Sequence, residues 1–562
     1  MTHVWLLRVA CVLSLACSQV SASSSAPDDA MAATGAGGST SNGGAETNSG
    51  AGGTGVTSAS GGTIVTAGTT NAPKLDNDTT SGMFVHLFEW RWPDVALECE
   101  SFLGPKGFTA VQVSPPSEHV LLQGFAYPWW QRYQTVSYQL ESRSGSRAEF
   151  VDMVARCRAA GVGIYVDAVL NHTTAQASGT GSGGTIFTKY AYPNLYKEAD
   201  FHTPHCPIQD TDYVSSVEHV QRCELAGLAD LDTSSSAVQA KLAGYLSDLL
   251  QIGVRGFRLD AAKHIAPADL AGILSQVKPR ADEVPYYFLE VIDYGGEAVH
   301  STDFLEVGGS AELDVTEFKY RGVGDVFLGR EAKSISSLAR LNEQAWGLLP
   351  SARAVTFISN HDTQRDGTAS YQDGPAYELA TVFMLAWPYG YPSVMSSYGF
   401  DRTTSVGRDM GPPTDGDDST HPVYEAGASE PSCVPAPHTN STKGWLCEHR
   451  ARYIAGMVLF RKTTAGAAVA NLWNNGTNQL AFSRGDRGFV AINHEAMALR
   501  QSFKTGLVAG RYCDVLSGDF TPKTSTVLAS CSGTVVEVDA SGNATIEVPA
   551  ESALAVHVAA AL

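Results

Sequence analysis

The chain has 562 residues and a net charge of −20, with 58 acidic against 38 basic side chains. That length exceeds one ordinary domain and can bury a large core. The acidic balance argues against a polyanionic partner such as nucleic acid, which needs a basic face that this sequence does not present.

At the start, Arg8 precedes a short apolar run, Val9 to Ala16, that is too short to span a bilayer. Residues 1–22 therefore read as an export signal with two open exits. Val20-Ser21-Ala22 suits cleavage after Ala22, giving a secreted chain, whereas Leu13 to Cys17 is an imperfect lipobox that would acylate Cys17 as a lipid anchor. Residues 23–75 are Gly, Ser, Ala and Thr with almost no apolar bulk, and such a segment cannot offset its ordering entropy. A flexible tether is expected there. No later apolar run is long enough to be a membrane span.

Strand-like and helix-like stretches then alternate. Met83 to Trp90, Phe108 to Pro116 and Gly163 to His172 read as strands; Trp92 to Leu103 and Arg147 to Gly161 read as helices. A Gly-, Thr-, Tyr- and Pro-rich excursion follows to about Asp232. Helix (Ser236 to Ile252), strand (Gly256 to Asp260), helix (Pro267 to Val277) and strand (Tyr286 to Val291) resume the rhythm, with further strands at Ala354 to Ser359 and Ser393 to Ser397. This alternation predicts an α/β fold, a (β/α)8 TIM barrel over 76–172 and 233–467. Residues 173–232 are too long for a loop and predict an inserted small domain after the third strand. From 468 to 562 short β-runs separated by turns predict a C-terminal all-β sandwich.

Of ten cysteines, Cys11 and Cys17 lie in the signal region. The other eight fall into local couples: Cys99 with Cys157, Cys206 with Cys223, Cys433 with Cys447, Cys513 with Cys531. An even set in an exported chain reads as disulfides, and no CxxC spacing favours a metal.

Three apolar runs end in a carboxylate: GFRLDAAKH at Asp260, FLEVID at Glu290 and FISNHDTQRD at Asp362. Acids at successive strand ends converge on one face of a barrel, and a pair of carboxyls cleaves a glycosidic bond. Arg258 lies two residues before Asp260, on the same side of an extended strand, and is expected to lower its pKa, as a nucleophile requires. Tyr287, Phe288 and Leu289 give Glu290 an apolar approach that is expected to raise its pKa and suit a general acid. Asp362, between His361 and Thr363, is placed to hold sugar hydroxyls and stabilise developing positive charge. Trp129, Trp130 and Tyr133 offer flat faces for stacking on glucose rings.

DAVLNH, GFRLDAAKH, FLEVID and FISNHD, in this order, resemble the four signature segments of α-amylases in glycoside hydrolase family 13. HLFEWRW, YPWWQRYQTVSYQL and GRYCDVLSGD resemble its animal-type branch, so the similarity runs from about Met83 to the C-terminus. The resemblance implies Asp260 as nucleophile, Glu290 as acid/base and Asp362 as transition-state stabiliser. It implies α-glucan contacts from Trp129, Trp130, Tyr133, Gln134, His172, Arg258, Lys263 and His361, with Asp167 as a second-rank contact. It also implies calcium held by the side chains of Asn171 and Asp230 and the carbonyls of Gln221 and His264. Arg258 and Asn360 match two chloride ligands of the animal enzymes, but Gly399 stands where the third, basic ligand belongs, so weak or absent chloride dependence is expected. DTQRDGTASYQDGP after His361 lacks the Gly- and His-rich mobile loop of those enzymes. The implied activity is endo-acting hydrolysis of starch or glycogen by a monomer. The rivals are an exo-acting maltooligosaccharide hydrolase or transglycosylase on the same scaffold, and a non-catalytic glycan-binding protein.

Overall fold

A computed structural model describes residues 81–562 except 126, 282, 308–311 and 434–442. The export signal, the Cys17 lipobox and the 23–75 tether lie outside the described residues.

Eight parallel strands close into a barrel. They are β1 (Phe84–Leu87), β2 (Ala110–Val113), β3 (Gly163–Val169), β4 (Gly256–Asp260), β5 (Tyr286–Leu289), β6 (Glu312–Thr316), β7 (Ala354–Thr356) and β8 (Tyr391–Ser396). Strands with both faces covered are near-continuously apolar, which is why FVHL, AVQV and GIYVDAV are buried throughout. Seven of the eight were expected; β6, ELDVT, carries two acids in five residues and gave no apolar signal. Inside the barrel, Phe84, Ala110, Tyr165, Tyr286, Phe288, Val355 and Tyr391 form one buried, largely aromatic cluster. Two residues further along the same inward faces the side chains turn polar: Phe84 gives way to His86, Tyr165 to Asp167, and Phe288 to Glu290. An apolar floor thus carries an ionisable layer at the C-terminal ends of the strands.

The surrounding helices carry their own stop and start signals. Arg147–Ala159 begins with a reciprocal capping box between Ser146 and Glu149. Ser236–Ile252 ends at Gly253, whose φ of 117° lies in the region glycine adopts freely. The helix expected from Trp92 to Leu103 is α-helical only to Glu98 and continues as a π turn over Cys99–Leu103.

Between β3 and Ser236 the chain makes a hairpin, Ser178–Thr180 with Ile186–Thr188, and a stack of aromatic rings that includes Phe187 and Tyr192. This excursion returns to the barrel through a bridge between His172 and Asp230.

The C-terminal region has two antiparallel layers. Strands β9 (Val469–Asn474), β10 (Gln479–Arg484), β11 (Gly488–Asn493) and β14 (Ser552–His557) form one sheet; β12 (Leu499–Lys504) pairs with β13 (Asn543–Val548) in the other. Phe489, Ala491, Phe503, Ile546 and Val556 fill the space between them. Arg484 reaches from β10 to the carbonyl of Ala386, at the C-terminus of a barrel helix, over 2.6 Å. All four cysteine couples are disulfide-bonded as paired above. Among the described residues no helix is long and apolar enough to cross a membrane.

Candidate active site

Arg258 is the hub of the polar layer. Its Nη1 donates to Asp167 Oδ1 over 2.6 Å and to Asp260 Oδ1 over 2.8 Å, and its Nη2 donates to Glu290 Oε1. Glu290 also accepts from the Ala261 N–H at 2.9 Å. Three buried carboxylates therefore share one guanidinium.

This arrangement corrects one expectation. Asp260 is raised, not lowered, from the ordinary carboxylate range: burial is the largest cause, Glu290 and Asp167 add to it, and Arg258 only opposes it. A strand sequence shows the cation next door but not the two further acids that draw on it. Glu290 follows the apolar strand Tyr286–Leu289, and its carboxyl accepts from Arg258 and from the Ala261 N–H. Asp362 lies beyond the end of β7, one residue before the helical turn Thr363–Asp366, and is pushed up to about 7 by burial and by Glu290, against Arg258 and Arg365.

Aromatic residues wall this cluster. Tyr133 stacks on His361, with ring centres 5.2 Å apart and planes 8° apart, and donates to Asp167 Oδ2 over 3.0 Å. Trp129 meets both rings edge-on, and its indole N–H donates to the Arg408 carbonyl at 2.9 Å. Trp130 packs edge-on against the half-exposed Phe125. His361 Nε2 lies 3.4 Å from Asp362 Oδ2, and burial with Arg258 nearby keeps its imidazole neutral well below its usual range. His172 donates from Nε2 to the Tyr133 carbonyl at 3.0 Å, and burial lowers it to about 4.

Two of the expected sugar contacts are engaged within the protein. Lys263 Nζ donates to the Ile292 carbonyl at 2.6 Å, pairs with the buried Glu297, and lies over the Tyr213 ring. Gln134 Oε1 accepts from the Ala175 N–H at 3.0 Å and pins the start of the excursion. Both hold loops around the cleft. His86, Glu297 and Arg365 belong to the same neighbourhood and were missed, because nothing in their local sequence distinguishes them from core or surface residues.

Of the four expected calcium residues, Asn171 and Asp230 are in contact. Asn171 Nδ2 donates to Asp230 Oδ1 at 3.2 Å, both buried. His264 Nδ1 donates to the Val220 carbonyl at 2.8 Å, next in sequence to Gln221. Burial pushes Asp230 up to about 6, with His202 opposing at 2.6 Å from Oδ2. A carboxylate, an amide and two backbone carbonyls are the kinds of oxygen donor a hard cation takes. Among the described residues no group of three or more His, Cys, Asp or Glu is arranged to hold a metal ion.

Of the expected chloride residues, Arg258 is engaged by its three carboxylates. Asn360 Oδ1 accepts from the N–H groups of Asp362 (3.1 Å) and Thr363 (2.8 Å). Gly399 donates its N–H to the Gly444 carbonyl.

Residues 107–288 match the alpha amylase catalytic domain, and 470–559 match the alpha amylase C-terminal all-beta domain. Pancreatic alpha-amylase of Rattus norvegicus is 41% identical over 480 residues, covering 82% of this chain and 90% of its own. Alpha-amylase of Thermomonospora curvata is 44% identical over 488 residues, covering 85% and 73%. The crystal structure of alpha-amylase I from Eisenia fetida superposes with a TM-score of 0.76 at 39% identity, covering 85% of this chain and 97% of that one. A glutamate-to-glutamine mutant of the same enzyme is known in complex with maltohexaose. With matches of this identity running through barrel and β-domain alike, the chain belongs to the α-amylase family of glycoside hydrolases, in its animal-type branch.

Proposed function

We propose that this protein is an exported, calcium-dependent, endo-acting α-amylase that hydrolyses internal α-1,4 bonds of starch or glycogen with retention of configuration. The observation that carries this reading is the single guanidinium of Arg258 bonded to both Asp260 and Glu290. Two carboxyls held by one guanidinium put a nucleophile and an acid at one site, as double displacement requires.

In this reading Asp260 attacks the anomeric carbon while Glu290 protonates the leaving oxygen; Glu290 then takes a proton from the water that releases the sugar. Arg258 restrains Asp260 for attack. Asp362 and the neutral imidazoles of His172 and His361 hold ring hydroxyls as positive charge develops. Trp129, Trp130 and Tyr133 line the approach with flat apolar surface. Lys263 and Gln134 act through the loops they fix. Asn171, Asp230 and the carbonyls of Gln221 and His264 would hold calcium, which fastens the excursion to the strand end that carries Asp260.

Export is supported by four disulfides and by the leader read from the sequence, with release after Ala22 or anchoring at Cys17 as its two exits. The protein is read as a monomer whose partner is the glucan itself.

The test is a time course on soluble starch, following iodine staining and reducing ends together. Early loss of staining with few reducing ends, abolished by Asp260→Asn, is the expected result. Slow loss of staining with rapid release of maltooligosaccharides would replace the endo-acting assignment with the exo-acting one. A folded protein that leaves starch intact would overturn the enzyme reading.

A further inference from the structure

Three residues past Asp362 the chain buries a second arginine. Arg365 is 5% exposed and lies on the turn Thr363–Asp366. Four aromatic rings surround its guanidinium: Phe400 at 4.4 Å, Trp129 at 4.8 Å, Phe88 at 5.4 Å and Tyr398 at 5.7 Å. Its hydrogen bonds run to neutral oxygens. Nη1 donates to the His361 carbonyl at 2.5 Å, Nη2 to the Tyr398 hydroxyl at 3.0 Å, and Nε to the Arg408 carbonyl at 3.0 Å. A buried cation is costly unless its donors are satisfied, and cation–π contact strengthens once water is excluded.

Two of these oxygens matter to the cleft. The His361 carbonyl belongs to the peptide that leads into Asp362. The Arg408 carbonyl also accepts from the Trp129 indole N–H. One rigid fork therefore grips the backbone before an acid on one side of the site and the anchor of an aromatic ring on the other. Trp129 closes the circuit by meeting His361 edge-on at 5.6 Å.

We propose that Arg365 is a positioning residue that fixes Asp362 and Trp129 relative to each other across the cleft, with the ring cage holding its charge in place. This inference rests on the proposed roles of Asp362 in transition-state stabilisation and of Trp129 in glucan contact. Lysine keeps the charge but has no planar fork, so it cannot reach His361 and Arg408 together.

The test compares wild type, Arg365→Lys and Arg365→Met on soluble starch, with melting temperature measured for each and Asp362→Asn as a separate control. A misplacement of about 1 Å costs up to roughly 100-fold in rate. Arg365→Lys is expected to melt within a few degrees of wild type, to lose kcat by about 10- to 100-fold, and to change KM by less than kcat. Arg365→Lys with kcat and KM within twofold of wild type would overturn the proposal. If both Arg365 variants fail to fold, Phe400→Leu thins the cage on one side and carries the test. A fall in kcat at unchanged melting temperature supports the proposal, and an unchanged kcat overturns it. Asp362→Asn at full wild-type activity would instead remove the role proposed for Asp362, and this is read independently of Arg365.

Discussion

Arg258 and Asp260 sit two residues apart on one strand and are joined by a 2.8 Å hydrogen bond from Nη1 to Oδ1. The bond orients Asp260 without making it an ordinary exposed carboxylate, because burial and the neighbouring acids outweigh the single cation. Asp260→Asn is expected to lower kcat by about 10⁴-fold or more while leaving the fold intact. Arg258→Gln is expected to lower kcat/KM by roughly 100-fold or more. It also leaves the buried Asp167 and Asp260 without the cation that opposes their raised proton affinity, which raises it further. The acid limb of the kcat/KM profile should therefore move to higher pH; a limb that stays in place or moves down would show that Arg258 does not govern the cluster's ionisation.

Calcium should act on stability as well as rate. Asn171 and Asp230 touch each other but belong to opposite ends of the excursion, so a cation between them closes that segment onto the barrel. A chelator is expected to lower the melting temperature, and added calcium to restore it. At 100 times Kd a single bound ion contributes about 2.7 kcal/mol. Asp230→Asn should abolish the calcium response, and a response that survives in this variant would place the ion elsewhere.

Much of this site was legible because the relevant acids sit at the ends of apolar runs. The strand Gly256–Asp260 and the helix Ser236–Ile252 have the bounds their patterns predict, since Gly253 supplies an unambiguous stop. β6 was missed because its inward residue Asp314 accepts from Tyr286 instead of presenting an apolar face. Arg365 was invisible for a different reason: its cage is assembled from three separate segments, and no local pattern announces such convergence. The shift of Asp260 was misjudged in sign because Arg258 is adjacent in sequence, whereas Asp167 and Glu290 come from two other strands.

Chloride offers a direct check on the departure at Gly399. The Arg258 guanidinium is bonded to three carboxylates, and a glycine stands where another cation would be needed. Activity at matched ionic strength is expected to differ by less than about twofold between sodium chloride and sodium nitrate or acetate, since screening alone is common to all three. A selective and saturable activation by chloride would overturn this expectation and require a cation from another part of the chain.

His557 governs a separate, acid-sensitive feature far from the barrel's polar layer. It is fully buried at the end of β14, edge-on to Phe460, and neither ring nitrogen has a hydrogen-bond partner in the structure. Burial lowers it to about 4 from an ordinary value of 6.5. Above pH 6.5 both native and unfolded chains carry it neutral, and the shift has no effect on stability. As the pH falls from 6.5 to 4 the unfolded chain takes up a proton that the native chain refuses, so stability is lost across that window, by about 3 kcal/mol in all. Below 4 the loss levels off. His557→Gln removes the titration and should flatten the dependence of the urea midpoint on pH between 6.5 and 4 relative to wild type. Parallel curves for the two proteins would mean that the imidazole finds a partner or water when charged, and that acid sensitivity arises elsewhere.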